Sequence, residues 1–198
     1  MVGLAVSVKR WARTLWLTQL RVACYAMFAV VGIACQAQAA EVWHVKCFAA
    51  DGHTLAVKAL SAQSDAYDVK AFATQDPAFH DVKALHPETG EQLPIKVVAS
   101  HDQEAIFSDV KAIENGDQLI AVKAITGYGE ILSIKAFHND AAGRYDIKCL
   151  GGDGEMLGLK AISPSGRVYD VKGIKELPDQ EDLGIEVLAH IKAIPQAD

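Results

Sequence analysis

Beyond its first forty residues the sequence has few of the features that mark an enzyme, a metalloprotein or a membrane protein. Only two of its four cysteines, Cys47 and Cys149, lie there, and its seven histidines show no metal-ligand spacing. No Gly-x-Ser-x-Gly motif marks a nucleophile, and no apolar run is long enough to cross a membrane. The sequence therefore predicts no catalytic residue, cofactor or metal site, and we interpret the histidines as surface strand residues.

Positive charge is also scarce in this part of the chain. Lys9, Arg10, Arg13 and Arg21 are four of the 19 basic residues, whereas none of the 25 acidic residues precedes Glu41. Residues 40–198 thus carry 15 basic residues against 25 acidic ones, a net charge of −10. This balance favours solubility and argues against nucleic acid or an anionic membrane surface as the main partner.

The first 39 residues have the pattern of a signal peptide. The basic residues precede an apolar run from Val22 to Ala34, and Ala37-Gln38-Ala39 supplies an A-x-A cleavage site. We therefore predict a signal peptide at 1–39 and a β-repeat domain at 40–198, located in the periplasm or outside the cell. The alternatives are an uncleaved membrane anchor and a lipoprotein attached through Cys35, although Gly32 stands where a Leu-like residue is usual.

Lysine is almost confined to one slot of a repeat. Twelve of the thirteen lysines after residue 39 lie at the centre of a phrase such as Asp-Val-Lys-Ala-Leu, mostly 12 or 13 residues apart, and only Lys175 stands elsewhere. The repeat lysines are Lys46, Lys58, Lys70, Lys83, Lys96, Lys111, Lys123, Lys135, Lys148, Lys160, Lys172 and Lys192.

The residues around each lysine predict a half-buried β-strand. With the lysine as position 0, position −1 is always Val, Ile or Leu, and position +1 is small in every copy except Val97. Positions −3, −1 and +1 therefore share one face of an extended chain, and positions −2 and 0 share the other. Turn sequences such as Asn115-Gly116 separate the copies. We predict an all-β fold of about twelve short strands.

A longer repeat bears on how these strands assemble. Residues 43–72 align without gaps to residues 145–174, so both ends of the array begin with matching three-strand units. This favours a closed or intertwined β body, of which a knotted backbone is one form, because an open array would leave bare strand edges. The alternatives are an open antiparallel meander and a β-solenoid. Cys47 and Cys149 match in this alignment, and in an oxidising compartment they predict a disulfide.

Two interpretations of the repeated lysine remain open. In the structural one, each lysine pairs with the aspartate that fills position −2 in five copies, or with a group across the ladder. In the other, the lysines form a basic stripe that binds a polyanion such as lipopolysaccharide.

The phrases Tyr67-Asp68-Val69-Lys70-Ala71 and Tyr169-Asp170-Val171-Lys172-Gly173, spaced by glycine-containing turns, resemble a bacterial exported Val-Lys-Ala-repeat family of unknown function, the septoil-knot domain family. The resemblance extends over nearly all of residues 41–195. It implies a β-rich repeat fold whose backbone forms a seven-crossing torus knot, and it supplies no catalytic residues.

These observations predict an exported, non-enzymatic binding or interaction module that acts at the cell envelope, with an unknown protein or envelope component as partner. The alternative is a purely structural, protease-resistant envelope protein without a ligand.

Overall fold

A computed structural model describes residues 41–100, 106–139, 143–175 and 185–196 of the 198-residue chain. All of them belong to one compact domain that runs from residue 40 to 198. The predicted signal peptide, its cleavage site and Cys35 lie outside these ranges.

The described ranges contain twelve β-strands and no helix, which confirms the all-β prediction. Each strand holds one repeat lysine near its centre. The strands are β1 (Val42–Phe48), β2 (Thr54–Leu60), β3 (Ala66–Phe72), β4 (His80–Leu85), β5 (Gln92–Val98), β6 (Ser108–Glu114), β7 (Gln118–Ile125), β8 (Ile131–Asn139), β9 (Arg144–Leu150), β10 (Met156–Ile162), β11 (Val168–Ile174) and β12 (Val187–Pro195).

Burial follows the predicted alternation in every strand. The β-branched or Leu residue at −1 is buried in all twelve copies, and the small residue at +1 is fully buried, as in the pair Val57 and Ala59. The lysines are half-buried on the opposite face, except Lys96, which is only 9% exposed. The −1 and +1 side chains of all the strands thus form one continuous core.

Every strand pairs with three others, always antiparallel. The pairings define four units of three mutually paired strands: unit A (β1, β2, β3), unit B (β4, β5, β12), unit C (β6, β7, β8) and unit D (β9, β10, β11). Within a unit the ladders are short, with two to four residue pairs each. Because all three members contact one another, each unit is a cyclic arrangement in which the second half of one strand pairs with the first half of the next.

Longer ladders of four to seven residue pairs join the units. There are six of them, β1–β10, β2–β7, β3–β4, β5–β6, β8–β9 and β11–β12, so each unit is joined once to each of the other three. If each strand is taken as a vertex and each ladder as an edge, the twelve strands have the connectivity of a truncated tetrahedron. The sheet closes on itself as a ring, so the open meander and the β-solenoid are wrong. None of the twelve described strands has a bare edge of the kind that promotes aggregation.

The longer sequence repeat corresponds to two of these units. Residues 43–72 form most of unit A and residues 145–174 form most of unit D, and each unit consists of three consecutive strands. Unit B differs, because the C-terminal strand β12 completes a unit whose other members are β4 and β5.

The +1 slot shows why the repeat needs small residues. Val97, the one bulky residue in this slot, has a Cγ2 atom only 2.9 Å from the place where a Cβ on Gly173 would lie. Gly173 is itself the one glycine among the twelve +1 residues. The two departures from the repeat thus compensate each other, since the methyl groups of Val97 occupy space that an alanine at position 173 would need.

Several tight turns within the units share one geometry. In the turns Ser61–Asp65 and Ser163–Arg167, the first N–H bonds to the carbonyl four residues later, and the fourth N–H bonds back to the first carbonyl. The fourth residue has a positive φ in both turns. It is a glycine in one, Gly166 with φ 83°, and a serine in the other, Ser64 with φ 73°. Ser64 therefore has a left-handed backbone that is unfavourable for a residue with a side chain.

We expect Ser64→Gly to stabilise the protein by about 0.5–1 kcal/mol, because glycine adopts this φ without steric cost. The free energy of unfolding in urea measures the gain. Gly166→Ser is the matched reverse change at the equivalent turn position, and it should cost a similar amount. Equal stability of wild type and Ser64→Gly would contradict the strain at this position.

Candidate functional site: a lysine-lined cavity in unit B

The repeat lysines face one another in pairs across the six long ladders. In each ladder the central residue of one strand is directly opposite the central residue of the other. The pairs are Lys46 with Lys160, Lys58 with Lys123, Lys70 with Lys83, Lys96 with Lys111, Lys135 with Lys148, and Lys172 with Lys192. Like charges directly opposite each other destabilise a sheet, so other groups must offset them.

Within the units, the offsetting groups are the residues at −2. Each lysine faces position −2 of the next strand of its own unit, for example Lys58 opposite Asp68 and Lys172 opposite Asp146. All five aspartates in this slot form ion pairs there. The pairs are Lys58–Asp68, Lys135–Asp109, Lys160–Asp170, Lys172–Asp146 at 2.6 Å and Lys192–Asp81 at 3.0 Å.

These contacts lower the pKa of two of the aspartates, Asp68 and Asp170. Burial tends to raise the pKa of Asp68, but hydrogen bonds and charge from Lys58 and Lys70 hold it below its ordinary value. In unit C, burial followed by the charges of neighbouring lysines lowers the pKa of Lys123. On the polar face of the strands, neighbouring lysines and aspartates therefore shift one another's pKa values.

One −2 slot in each unit lacks a hydrogen-bonding side chain. These positions are Ala56, Pro94, Ala121 and Gly158. Counting the 0 and −2 slots, units A, B and C each have three lysines against one aspartate, and unit D has three against two. Each unit is thus locally basic on a domain that is acidic as a whole, because the remaining acids lie outside these slots.

Unit D allows a direct test of this slot. Lys148 faces Gly158, and a Cβ built on Gly158 would meet nothing closer than Lys160 Cε at 3.9 Å. We expect Gly158→Asp to form the ion pair that aspartates at −2 form in five other strands, and to stabilise the protein by about 0.3–1 kcal/mol. Chemical denaturation at low and high salt measures it, since salt should remove the gain. Gly158→Asn controls for the loss of glycine, and an equal effect of Asn and Asp would contradict the ion pair.

Histidine replaces aspartate at −2 in two units. In unit A, His44 Nδ1 lies 3.1 Å from Lys70 Nζ. The charge of Lys70, followed by burial, lowers the pKa of His44. His80, at −3 in β4, is 5% exposed, and burial lowers its pKa as well.

We therefore expect stability to fall as the pH drops below about 6.5, where the unfolded chain binds protons that folded His44 and His80 resist. A second loss follows below about 3.9, because the lowered pKa of Asp68 means that its ion pair stabilises only while it is ionised. Thermal unfolding from pH 8 to 3 measures both. His44→Asp should raise stability at neutral pH and flatten the first step, and an unchanged first step would contradict the role of His44.

His80 corrects the interpretation of the histidines as surface residues. Its ring packs against Trp43 and Tyr169, with ring centroids 4.4 Å and 5.3 Å away. Its Nδ1 accepts a hydrogen bond from the Thr74 N–H. His80 is buried because it fills position −3, which lies on the core face of the strand.

Unit B contains a cavity of about 220 Å³ at the meeting point of its three strands. Its lining includes all three lysines of the unit, Lys83, Lys96 and Lys192, together with Asp81 and His190. Apolar residues at −1 (Val82, Ile95 and Ile191) and Pro94 complete the lining. The 0, −1 and −2 slots that all units share thus form a concave, basic site here.

Three departures from the repeat occur around this cavity. Pro94 fills the −2 slot that faces Lys83, so this slot offers the lysine no polar side chain. Strand β12 has a register irregularity against β5 between Val187 and Ala189, and such bulges re-aim neighbouring side chains. Val97 occupies the +1 slot of β5. Pro94 and Val97 were visible in the sequence, but the register irregularity and the meeting of all three departures in one unit were not.

The most buried lysine of the repeat lies in this cavity. Lys96 Nζ is 2.6 Å from His190 Nδ1 and 3.0 Å from Nε2. Lys83 Nζ lies 3.4 Å from Gln92 Oε1, a long contact, and 5.7 Å from the ring centre of Phe72. Lys192 is held by Asp81. Unit B therefore brings three cations together with one carboxylate.

Cys47 and Cys149 both belong to the core, where both are fully buried. They are free thiols in the structure. Interaction with the Cys149 thiol, followed by burial, raises the pKa of the Cys47 thiol. The predicted disulfide is not formed in the structure and stays a prediction.

Among the described residues, no group of His, Cys, Asp and Glu side chains could hold a metal ion. Those same residues include no helix of the length and apolarity needed to cross a membrane.

Comparison with known proteins places the chain in a family without assigning a function. No curated protein and no solved structure matches it. A family match covers residues 39–194, which is nearly the whole repeat domain. The chain belongs to the family of unknown function DUF7486.

Proposed function

We propose that this protein is an exported, non-enzymatic binding module that acts at the cell envelope, in the periplasm or outside the cell, on a protein or other envelope component. The observation that carries the proposal is the placement of all twelve repeat lysines at the strand centres of a closed sheet. Strands hold side chains in more precise positions than loops do. The result is four rigid, locally basic clusters.

The uniformity of the clusters supports binding over catalysis. A catalytic constellation needs unlike groups in unlike environments, such as a nucleophile beside a base. Here the same two slots recur with lysine in one and mainly aspartate, histidine or a small residue in the other. An acidic partner group would complement any of the four units, and export is supported by the signal-peptide pattern of residues 1–39.

Retention of the protein on envelope material tests the proposal. Lys46 and Lys148 form no ion pair with a described residue, so Lys46→Glu with Lys148→Glu changes surface charge without breaking one. We expect saturable, salt-sensitive binding that this double variant weakens at least tenfold. Lys175→Glu, which changes the one lysine of residues 40–198 outside the repeat slot, is the matched control. Binding that is non-saturable, or equally affected by the control, would overturn the proposal.

A purely structural, protease-resistant protein is the second candidate, and the closed strand network favours it. Each strand has three partners, so local opening must break several ladders at once. This candidate predicts very slow unfolding and long survival in protease together with no saturable ligand. Protease half-life and the retention assay therefore separate the two candidates.

We further propose that the backbone is knotted, as the resemblance to septoil-knot domains implies. Two features support it: ladders β1–β10 and β2–β7 join distant parts of the chain, and β12 returns to complete unit B. An experimental structure traced continuously from residue 41 to 196 tests it. Seven crossings are expected, and a backbone that pulls straight from its ends would overturn the proposal.

A further inference from the structure

We propose that His80 triggers an acid-opened switch at the junction of units A, B and D, in which a plug of three aromatic rings opens and bares the surface around Trp43. The plug consists of the −3 residues of three strands: Trp43 of β1, His80 of β4 and Tyr169 of β11. The switch goes beyond the proposed function, since it lies on the core face of the strands and needs no ligand. The domain would thus present a different surface at neutral and at acidic pH.

The three rings pack directly against one another. The ring centroids of Trp43 and His80 lie 4.4 Å apart, those of Trp43 and Tyr169 4.6 Å, and those of His80 and Tyr169 5.3 Å. Trp43 and His80 are 4% and 5% exposed, so these contacts close the core at the junction. Three exposed apolar residues occupy position −4 of the same strands: Val42, Phe79 and Val168. Movement of one ring would join the buried aromatic surface to these exposed side chains.

The closed plug requires a neutral His80. Its Nδ1 accepts a hydrogen bond from the Thr74 N–H at 3.3 Å. Thr74 also organises the connection between β3 and β4, because its hydroxyl donates to the carbonyl oxygens of Asp76 and Phe79. Protonation places a hydrogen on Nδ1, so the ring can no longer accept and two donors face each other. Protonation would therefore release both the ring and the connection that it holds.

Acidic groups near His80 attract its charged form. Burial lowers the pKa of His80 and outweighs three carboxylates that raise it, those of Asp76, Asp81 and Glu41. A ring that turned outward would regain hydration and keep the attraction of these acids. Because the closed plug has the lower pKa, acid shifts the equilibrium towards the open form as the pH falls below about 6.5, the ordinary pKa of histidine.

The strands that pack against His80 contribute one further charge. On β12, Ala193 lies opposite His80, and the neighbouring Lys192 engages Asp81 at 3.0 Å. This ion pair offsets part of the charge of Asp81. On β11, the group that faces His80 is the ring of Tyr169. Asp76, in the connection before β4, is therefore the main attraction for a protonated His80.

Opening also satisfies a buried donor. Nε1 of Trp43 is buried and has no hydrogen-bond partner among the residues that the structure describes. A buried donor without an acceptor destabilises the state that contains it, and contact with water removes this cost. Ring contacts thus hold the plug closed, whereas the protonated His80 and the Trp43 N–H both gain from opening. A buried histidine that biases two such arrangements is the basis of a pH switch.

The experiment follows the exposure of Trp43 in the full chain with Trp11→Phe and Trp16→Phe, which leave Trp43 as the only indole. From about pH 7.5 to about pH 5 we expect a reversible red shift of its emission and a rise of about threefold or more in quenching by acrylamide. The far-UV circular dichroism should stay unchanged, since only the junction opens. An NMR titration of the His80 ring in the same protein should give the same midpoint.

Three variants test the trigger. His80→Phe keeps a ring in the plug but cannot be protonated, so it should abolish the transition. His44→Asn is the matched control, because it removes another histidine with a lowered pKa and leaves the plug intact. Asp76→Asn can still accept the Ala78 N–H, and it should move the midpoint to lower pH because the attraction for the charged ring is lost.

Two results would overturn the switch. One is a transition that persists in His80→Phe or that coincides with loss of the circular dichroism signal. The other needs no variant that must fold: a His80 ring that titrates in the parent protein while the emission and quenching of Trp43 stay constant. Either result leaves the proposed function untouched, because retention on envelope material is measured at neutral pH with the plug closed.

Discussion

Replacing Gly173 by alanine is expected to destabilise the protein by about 2–3 kcal/mol. The added methyl group would lie 2.9 Å from Val97 Cγ2, 2.9 Å from Tyr145 Cβ and 3.3 Å from Ala189 Cβ. None of these atoms is at the end of a flexible side chain, so relief requires movement of the strands. Overpacking of a well-filled core costs about 1–3 kcal/mol, and two overlaps place this change at the upper end. Urea unfolding measures the loss.

The partner of this change is Val97→Ala, which gives β5 the residue that most copies have at +1. Alone it should cost about 1–2 kcal/mol, because it leaves a cavity in the core. Combined with Gly173→Ala it should cost less than the sum of the two, with a coupling energy of at least about 1 kcal/mol. Strict additivity would contradict the compensation between Val97 and Gly173. Ala71→Gly, at the same slot of β3 in unit A, should show no coupling to Val97→Ala.

The strands and their buried faces could be predicted from the position of each residue within the repeat. Period-2 alternation assigns each residue to one face, so burial at Val57 and Ala59 follows from position alone. The choice of partner strands does not follow, because all twelve copies present nearly the same hydrophobic face. Only the long repeat carried topological information, and it indicated units A and D but not the joining of β12 to β4 and β5.

The candidate site was predictable only in part for the same reason. The repeat identified Lys83, Lys96 and Lys192 individually, yet nothing in the spacing brings them together. Their meeting depends on the return of the chain from β11 to β12, which pairs with both β4 and β5. Pro94 is a signal that could have been used, because a proline at −2 in a strand that otherwise reads as central is unusual.

The paired lysines also explain why the acids are distributed as they are. Five aspartates occupy the −2 slot, from which each reaches the lysine opposite it in its own unit. Each such exposed or half-buried pair contributes modestly, about 0–1 kcal/mol. Their combined effect is to make twelve central lysines tolerable while each unit remains basic. The stability of the sheet thus depends on these two slots.

Oxidation of Cys47 and Cys149 to a disulfide is expected to raise the stability by about 4–5 kcal/mol. The bond would close a loop of roughly 100 residues, and the loss of chain entropy in the unfolded state grows with loop length. Both cysteines fill the small +1 slot, and both thiols are fully buried in the same core. For a domain of this size the gain corresponds to a melting temperature higher by on the order of 10 °C. Thermal unfolding with and without a reductant measures it.

The double variant Cys47→Ala with Cys149→Ala is the matched control, because alanine fills the same +1 slot in most other copies. It should melt close to the reduced protein and show no response to the reductant. In the folded, reduced protein the thiols should react slowly with an alkylating reagent, since they are fully buried and the pKa of Cys47 is raised. Protein exported to an oxidising compartment should therefore form the bond during folding, before closure of the core hides the thiols. An intermolecular bond, or equal melting temperatures with and without reductant, would contradict this prediction.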